Sequence, residues 1–236
     1  MTAADQRRGF ATLMREEPSA VLLLVQLAGV LLYPFMDESP VGRAAISLFS
    51  LVVLVLAVRT VRSTPALTGV SVVLGAPIVV LTLLEIVDPA NQTLVLWSSV
   101  LLAAFYTYTT VALISYMFRD RFITVDELWA VAATFTVIAW AFAHAFMAVQ
   151  VLWPASFIAG VDPGAPRTWF ELLFLSFTNL TSVGLSDILP VLPQARSIVM
   201  IEQVAGLMYV AIVISRIVGL QLTRERIRRD RDRNGH

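Results

Sequence analysis

Apolar residues in this chain come in long blocks, with no strict alternation and no narrow helical stripe. The first block, SAVLLLVQLAGVLLYPFM, covers about 19–36, and others follow at about 44–61, 65–87, 93–118, 125–152 and 195–222. Each is close to the roughly 20 residues an α-helix needs to cross the hydrocarbon of a bilayer. Six transmembrane helices are therefore expected. The punctuation agrees with that division. DESPVGR, 37–43, reads as a turn, and Thr64 stands as N-cap before Pro65 at a first helical position. Thr124 and Glu127 have capping-box spacing ahead of the fifth block. Gly75 and Pro77 lie inside the third block and predict a kink, because neighbouring helices can satisfy the freed carbonyl.

Between the fifth and sixth blocks the pattern changes. A Pro- and Gly-containing piece, WPASFIAGVDPGAP, leads to Thr168-Trp169-Phe170-Glu171, a second capping box, and then to LLFLSFTNL and TSVGLSD. The helix this opens is too short to cross, so it is expected to dip into the membrane and return. Irregular backbone at that depth is tolerated only where protein buries it or where it lines a water-filled cavity. A short helix descending, a Gly-containing extended return and a following long helix make a funnel.

Composition supports a membrane protein: 58% of residues are hydrophobic and 14% charged, against about 25% charged in soluble domains. Cysteine is absent and there are two histidines, so no disulfide framework or metal-ligand constellation is available. His144, alone in its span, reads as a packed histidine, and no phosphate loop or nucleophile triad suggests an enzyme. All 17 basic residues are arginine. Arg7, Arg8, Arg15, Arg59, Arg62, Arg119, Arg121 and six in the tail fall on one side of the six spans, against Arg43, Arg167 and Arg196 on the other. By the positive-inside rule both termini are cytoplasmic and the re-entrant segment faces outward. Residues 1–18 mix acids with bases before a full-length span and read as a cytoplasmic segment followed by an anchor, not as a removed signal. The fourth span has no arginine ladder, so strong voltage gating is not expected of it, and its YTYTT cluster is assigned to interhelical hydrogen bonds. Glu85 and Asp88 read as solvated helix-end acids. Asn91-Gln-Thr and Asn179-Leu-Thr match the glycosylation pattern, which arises cheaply.

Thr181-Ser182-Val183-Gly184-Leu185-Ser186-Asp187 resembles the selectivity-filter signature of the potassium-channel superfamily, usually written TTVGYGD. The order outer helix, pore helix, filter, inner helix resembles that family too, as does Gly206 at its inner-helix hinge position. The TVDE opening of the fifth span and IEQVAGLMYVAIVISRIVGL in the sixth resemble a bacterial group with four helices before the pore. The resemblance covers 124–222 closely and the earlier spans by number alone. It implies an all-α integral membrane fold forming a fourfold homotetramer in a bacterial-type inner membrane. Residues 19–122 would be a four-helix domain, 123–222 the pore domain and 223–236 a short charged tail. It also implies passive conduction of potassium, with sodium as the alternative ion, and neither cofactor nor catalysis. The partners expected are other copies of the chain and membrane lipids, not nucleic acid. In the same carry-over Ser182, Val183, Gly184, Leu185 and Ser186 supply filter carbonyls, the Ser182 hydroxyl extends the ladder, Thr178 and Thr181 support it, and Asp187 marks the outer mouth.

The physical need behind such a filter is general. A bare cation entering hydrocarbon loses solvation worth tens of kcal/mol, so oxygens must replace its water. Two departures from the family pattern bear on this. Leu185 stands where the family has an aromatic that braces the filter, and Ser186 stands where it has a second Gly. If the backbone there needs positive φ, Ser186 carries a cost of roughly 1 to 2 kcal/mol per chain. The sites around Ser182, Val183 and Gly184 are accordingly expected to stay nearer the family pattern than the outer ones. Glu171 is read as a capping residue. Glu202 is either an ion-pathway acid or a brace for the pore helix, Gly206 a hinge or a packing glycine, and Arg216 a snorkelling interface residue or part of an inner gate.

Overall fold

The computed structural model describes residues 17–36, 49, 50, 52, 53, 55, 56, 65–118 and 125–234. Thr64, Thr124, most of the expected span at 44–61 and the arginines at 7, 8, 15, 43, 59, 62, 119 and 121 lie outside that set. Six helices carry the described chain: α1 (Pro18–Met36), α2 (Pro65–Val87), α3 (Gln92–Met117), α4 (Val125–Leu152), the short α5 (Trp169–Leu180) and α6 (Pro193–Asn234). Four of them contain segments long and apolar enough to cross a membrane: Pro18–Phe35, Gln92–Met117, Val125–Leu152 and Pro193–Arg216. Helix α2, 23 residues long, continues through Pro77. The one addition to an all-helical plan is a pair of three-residue antiparallel strands, β1 (Phe157–Ala159) and β2 (Ile188–Pro190), with Ile158 opposite Leu189.

Helix α4 is the hub, packing against α1, α3, α5 and α6. About 67% of its spanning segment is buried within the chain, against 22% of the corresponding part of α6. A helix that is apolar all round has no solvent-facing side to choose, so which faces meet protein and which meet lipid is settled by packing. The main core joins Leu22 of α1, Ile78 of α2, Phe105 and Tyr106 of α3, Val137 and Trp140 of α4, and Leu173 of α5. A second cluster, with Phe146, Phe157, Leu172, Ile188 and Val199, seats the strand pair against α4, α5 and α6.

Local signals explain the helix ends. Asn91, read from its sequon as a glycosylation match, is the N-cap of α3: its Oδ1 accepts from Thr93 N (3.1 Å) and Leu94 N (3.4 Å). The box at Thr168 forms as expected, with Thr168 N donating to Glu171 Oε2 (2.6 Å) and Glu171 N to Thr168 Oγ1 (3.3 Å). At the far end of the bundle Asp126 of α4 accepts from Ser19 N (3.0 Å) and Ser19 Oγ (3.1 Å), tying down the start of α1. The YTYTT expectation is corrected for its last two threonines. Thr109 and Thr110 donate to Phe105 O and Tyr106 O of their own helix, both at 2.9 Å, because a hydroxyl in hydrocarbon finds the carbonyl one turn back before it finds a neighbour.

Candidate functional site: the return loop after helix α5

Helix α5 has 12 residues, a length of about 18 Å at 1.5 Å per residue. Its approach is set by residues to which the sequence reading gave only a charge count or no role. Arg167, 5% exposed, donates to Asp162 O (2.7 Å), Ala165 O (2.5 Å) and Glu171 Oε1 (3.1 Å), pulling the preceding loop into a knot at the helix start. Gln150 of α4 clasps the Arg167 backbone in both directions, at 2.8 Å each. Tyr33 of α1 stacks on Phe170 with ring centroids 4.5 Å apart. Glu171 thus has a second partner beyond its capping role.

At the other end of α5 the chain reverses through hydrogen bonds to the last turn. Ser182 N donates to Asn179 O (2.9 Å), and Val183 N and Gly184 N both donate to Thr178 O at 3.0 Å. Two consecutive N–H groups converging on one carbonyl make a concave nest, which requires residues of alternating hand. Ser182 has φ of 59° and Gly184 φ of 68°. The expected extended return is therefore corrected to an alternating backbone. A trans peptide points its C=O opposite its N–H. The peptides that send Val183 N and Gly184 N toward Thr178 therefore turn the oxygens of Ser182 and Val183 away from it, toward the exposed side of the loop.

The alternation moves the conformational cost. Ser186 is not among the described residues with positive φ, whereas Ser182 is. The premise that Ser186 carries the left-handed strain is corrected, and the cost of roughly 1 to 2 kcal/mol falls on Ser182. Ser186 serves as a turn residue, its Oγ accepting from Ile188 N (3.0 Å) at the start of β2. Ser186 N also donates to Gly184 O (3.1 Å), so that carbonyl is engaged within the loop. Leu185 is 76% exposed, and Asp187 is exposed beside it. The Thr178 hydroxyl donates to Leu175 O (2.8 Å), and the Thr181 hydroxyl to Phe177 O (2.7 Å). Both support the turn from inside the helix.

Behind this loop Glu202 of α6 is fully buried. Its carboxylate accepts from Ser176 Oγ and from Asn179 Nδ2 (3.2 Å), while Ser176 Oγ also contacts Ala139 O (3.0 Å). The acid ties α6 to two residues of α5, Ser176 reaches on to α4, and of the two open readings the geometry supplies the brace. One turn on, Gly206 lies against the end of α5: a Cβ there would meet Leu180 O, with Leu180 C and Cα at 3.0 Å. Arg216 has protein partners, its Nη2 lying 3.8 Å from Glu127 Oε1 and its guanidinium 4.9 Å from the Phe118 ring centroid. Glu127, expected to complete a capping box, thus carries an ion pair that draws the start of α4 to α6.

Residues 133–220, from within α4 through α5 and the return loop to α6, match the family model described as an ion channel. This segment belongs to the potassium-channel superfamily. The channel domain therefore contains the nest at Thr178, the Glu202 brace and the Gly206 contact in one contiguous match. An ion-channel role is what this match supports, in a chain with four helices long and apolar enough to cross a membrane among the described residues. Searches among curated proteins and among solved structures returned no match.

Proposed function

We propose that the protein is a homotetrameric, passive cation channel, with potassium the favoured ion and oxygens of the return loop as the filter. The observation that carries this reading is the paired donation of Val183 N and Gly184 N to Thr178 O, since it turns two successive carbonyls to the open side of the loop. One chain supplies one wall, and a ring of identical chains is the closed arrangement that completes a cage. Support comes from α6, where Met200, Ile201, Val204, Leu207 and Met208 share one face and stand exposed, an apolar face on which a second copy can seat. Asp187 then forms an acidic ring at the mouth, on the outward face of a bacterial-type inner membrane with both termini cytoplasmic. Residues 19–122 form a peripheral domain without an arginine ladder, and 223–236 a cytoplasmic tail. Gly206 becomes the point about which α6 bends to open the inner end.

The engagement of Gly184 O by Ser186 N favours a second reading, a poorly selective monovalent-cation channel, because it removes one oxygen from the outer ladder. Purified protein in liposomes decides the matter. A potassium gradient is expected to drive flux, with a reversal potential in mixed sodium and potassium that follows potassium. Equal permeability supports the second reading, and no flux under any condition leaves a non-conducting scaffold. A sharper expectation concerns the outer half. Ser186→Gly combined with Leu185→Tyr restores an aromatic brace and a flexible residue, and potassium-over-sodium selectivity should rise. Unchanged permeability ratios would show that the outer half does not set selectivity.

A further inference from the structure

Helix α6 buries one side against α4 and α5 and leaves the rest free. On the buried side Glu202 reaches Ser176 and Asn179, Gly206 lies against Leu180, and the Tyr209 hydroxyl donates to Val131 O (2.6 Å). On the free side every exposed residue between Ser197 and Ser215 is apolar, with one exception. Gln203 is exposed, and its amide has no hydrogen-bond partner among the described residues.

Depth makes this exception informative. Gln203 lies ten residues from Pro193 and thirteen from Arg216, the limits of the spanning segment, or about 15 Å and about 20 Å along the axis. A glutamine side chain is far too short to reach either end. In hydrocarbon the amide would forfeit the bonds of both its oxygen and its two N–H donors, and polar side chains at such depth face protein or a water-filled cavity. The position along α6 narrows the choice. Gln203 stands between Glu202 and Gly206, the two residues that meet the last turns of α5, so it is level with the point where that helix ends and the return loop begins.

We infer that Gln203 lines a water-filled vestibule beside the return loop and that its amide oxygen is a specificity-determining acceptor for the hydrated cation there. This rests on the reading of the loop as the filter. A cation that leaves the loop oxygens has to regain its water at once, so the space beside the end of α5 is wet, and α6 borders it. Val210 and Ile214, seven and eleven residues on, return to the side of Gln203 and are exposed and apolar. The amide is therefore the polar group of that wall. Ile201 and Met208 point well away from it, on the apolar face where a second copy can seat. In a closed ring of identical chains the amides repeat around one space. An amide can turn its oxygen to a cation and its N–H groups to water, which orients the ion without holding it as a carboxylate would.

The chain contains no cysteine, so single introduced thiols report without background. Gln203→Cys, Ile201→Cys and Met208→Cys are reconstituted in liposomes and treated on both sides, in the buffer of the flux assay, with a membrane-impermeant trimethylammonium thiosulfonate. Modification is read as a mass shift of the intact chain, which does not depend on conduction. Gln203→Cys is expected to react about tenfold faster or more than the other two, because the attacking thiolate forms in water and is suppressed in apolar surroundings, and its modification is expected to cut potassium flux. Gln203→Leu is expected to lower flux several-fold at an unchanged thermal midpoint, Gln203→Asn to keep most of it, and Gln203→Glu to raise it by concentrating cations. Reaction of Gln203→Cys no faster than the two controls overturns the inference, even in a conducting protein, and assigns the amide to a neighbouring copy. Unchanged flux in Gln203→Leu overturns its role toward the cation. A parent protein without flux counts against the filter reading alone, since fast modification of Gln203→Cys still places this side chain in water.

Discussion

Replacing Gly206 by valine is expected to abolish ion flux and to lower the thermal midpoint of the protein sharply, with Gly206→Ala showing a milder version of both. The reason is backbone against backbone: any Cβ at 206 points at the carbonyl of Leu180, and neither partner is a flexible side chain that can step aside. Overpacking of a tight site costs typically 1–3 kcal/mol. Gly→Ala in an unconstrained helix would instead gain up to about 1 kcal/mol from propensity, so the sign of the stability change separates the two roles considered for this residue. A hinge glycine with room around it predicts Gly206→Ala stable and altered only in gating. A contact glycine predicts Gly206→Ala less stable. Thermal unfolding of the purified protein, followed by loss of the oligomer peak on size exclusion, reads this directly. A higher midpoint for Gly206→Ala would remove the packing argument. The two roles are also linked, because bending α6 at Gly206 would part it from Leu180, two residues before Ser182 of the return loop.

Glu202→Ala should rank next. The carboxylate holds Ser176 and Asn179 of α5 from a fully buried position on α6, and nothing else within the described residues takes over the Asn179 amide. A buried hydrogen bond contributes about 0.5–1.5 kcal/mol, and a donor left buried without a partner costs about 1–3 kcal/mol more. Two lost bonds and the orphaned amide make roughly 2–6 kcal/mol per chain, a large part of the 5–15 kcal/mol total typical of a folded domain. Glu202→Gln keeps the shape and one acceptor, so it should retain most of the stability that Glu202→Ala loses. A thermal midpoint for Glu202→Ala within a degree or two of the parent would show that the acid does not brace α5. If Glu202→Gln keeps its stability yet changes conductance, the alternative of an acid acting on the ion pathway gains.

Much of this molecule was legible along the chain because membrane helices announce themselves by length. A run of about 20 apolar residues has few other fates, and α1, α3 and α4 begin and end within a residue or so of the expected limits, while the spanning part of α6 ends at Arg216, short of the expected 222. The start of α5 was equally legible, since a capping box is satisfied by residues three apart and needs no partner from elsewhere. The resemblance of 181–187 to a filter located the loop correctly behind a short helix, within the segment that matches the ion-channel family.

The misreadings share a physical cause. Glu85 was placed in solvent and the last two threonines of YTYTT between helices because each was judged by its position along one helix, while its partner is decided by packing: Ser98 for Glu85, and the preceding turn for Thr109 and Thr110. Arg167 entered only as one charge and Gln150 had no role, since a single loop arginine and a single helix glutamine have no pattern. Their clasp exists only once α4 and the loop before α5 lie side by side.

Residue order alone determined that this chain lives in a bilayer, where its long helices run, and which short segment interrupts them, because hydrophobic length and capping are local properties. The tertiary structure decided which residue of the return loop takes the left-handed conformation, which carbonyls it frees and which buried acid braces it. Those outcomes depend on Thr178, Leu180 and Glu202 reaching one point in space from two helices, and no local rule contains that distance.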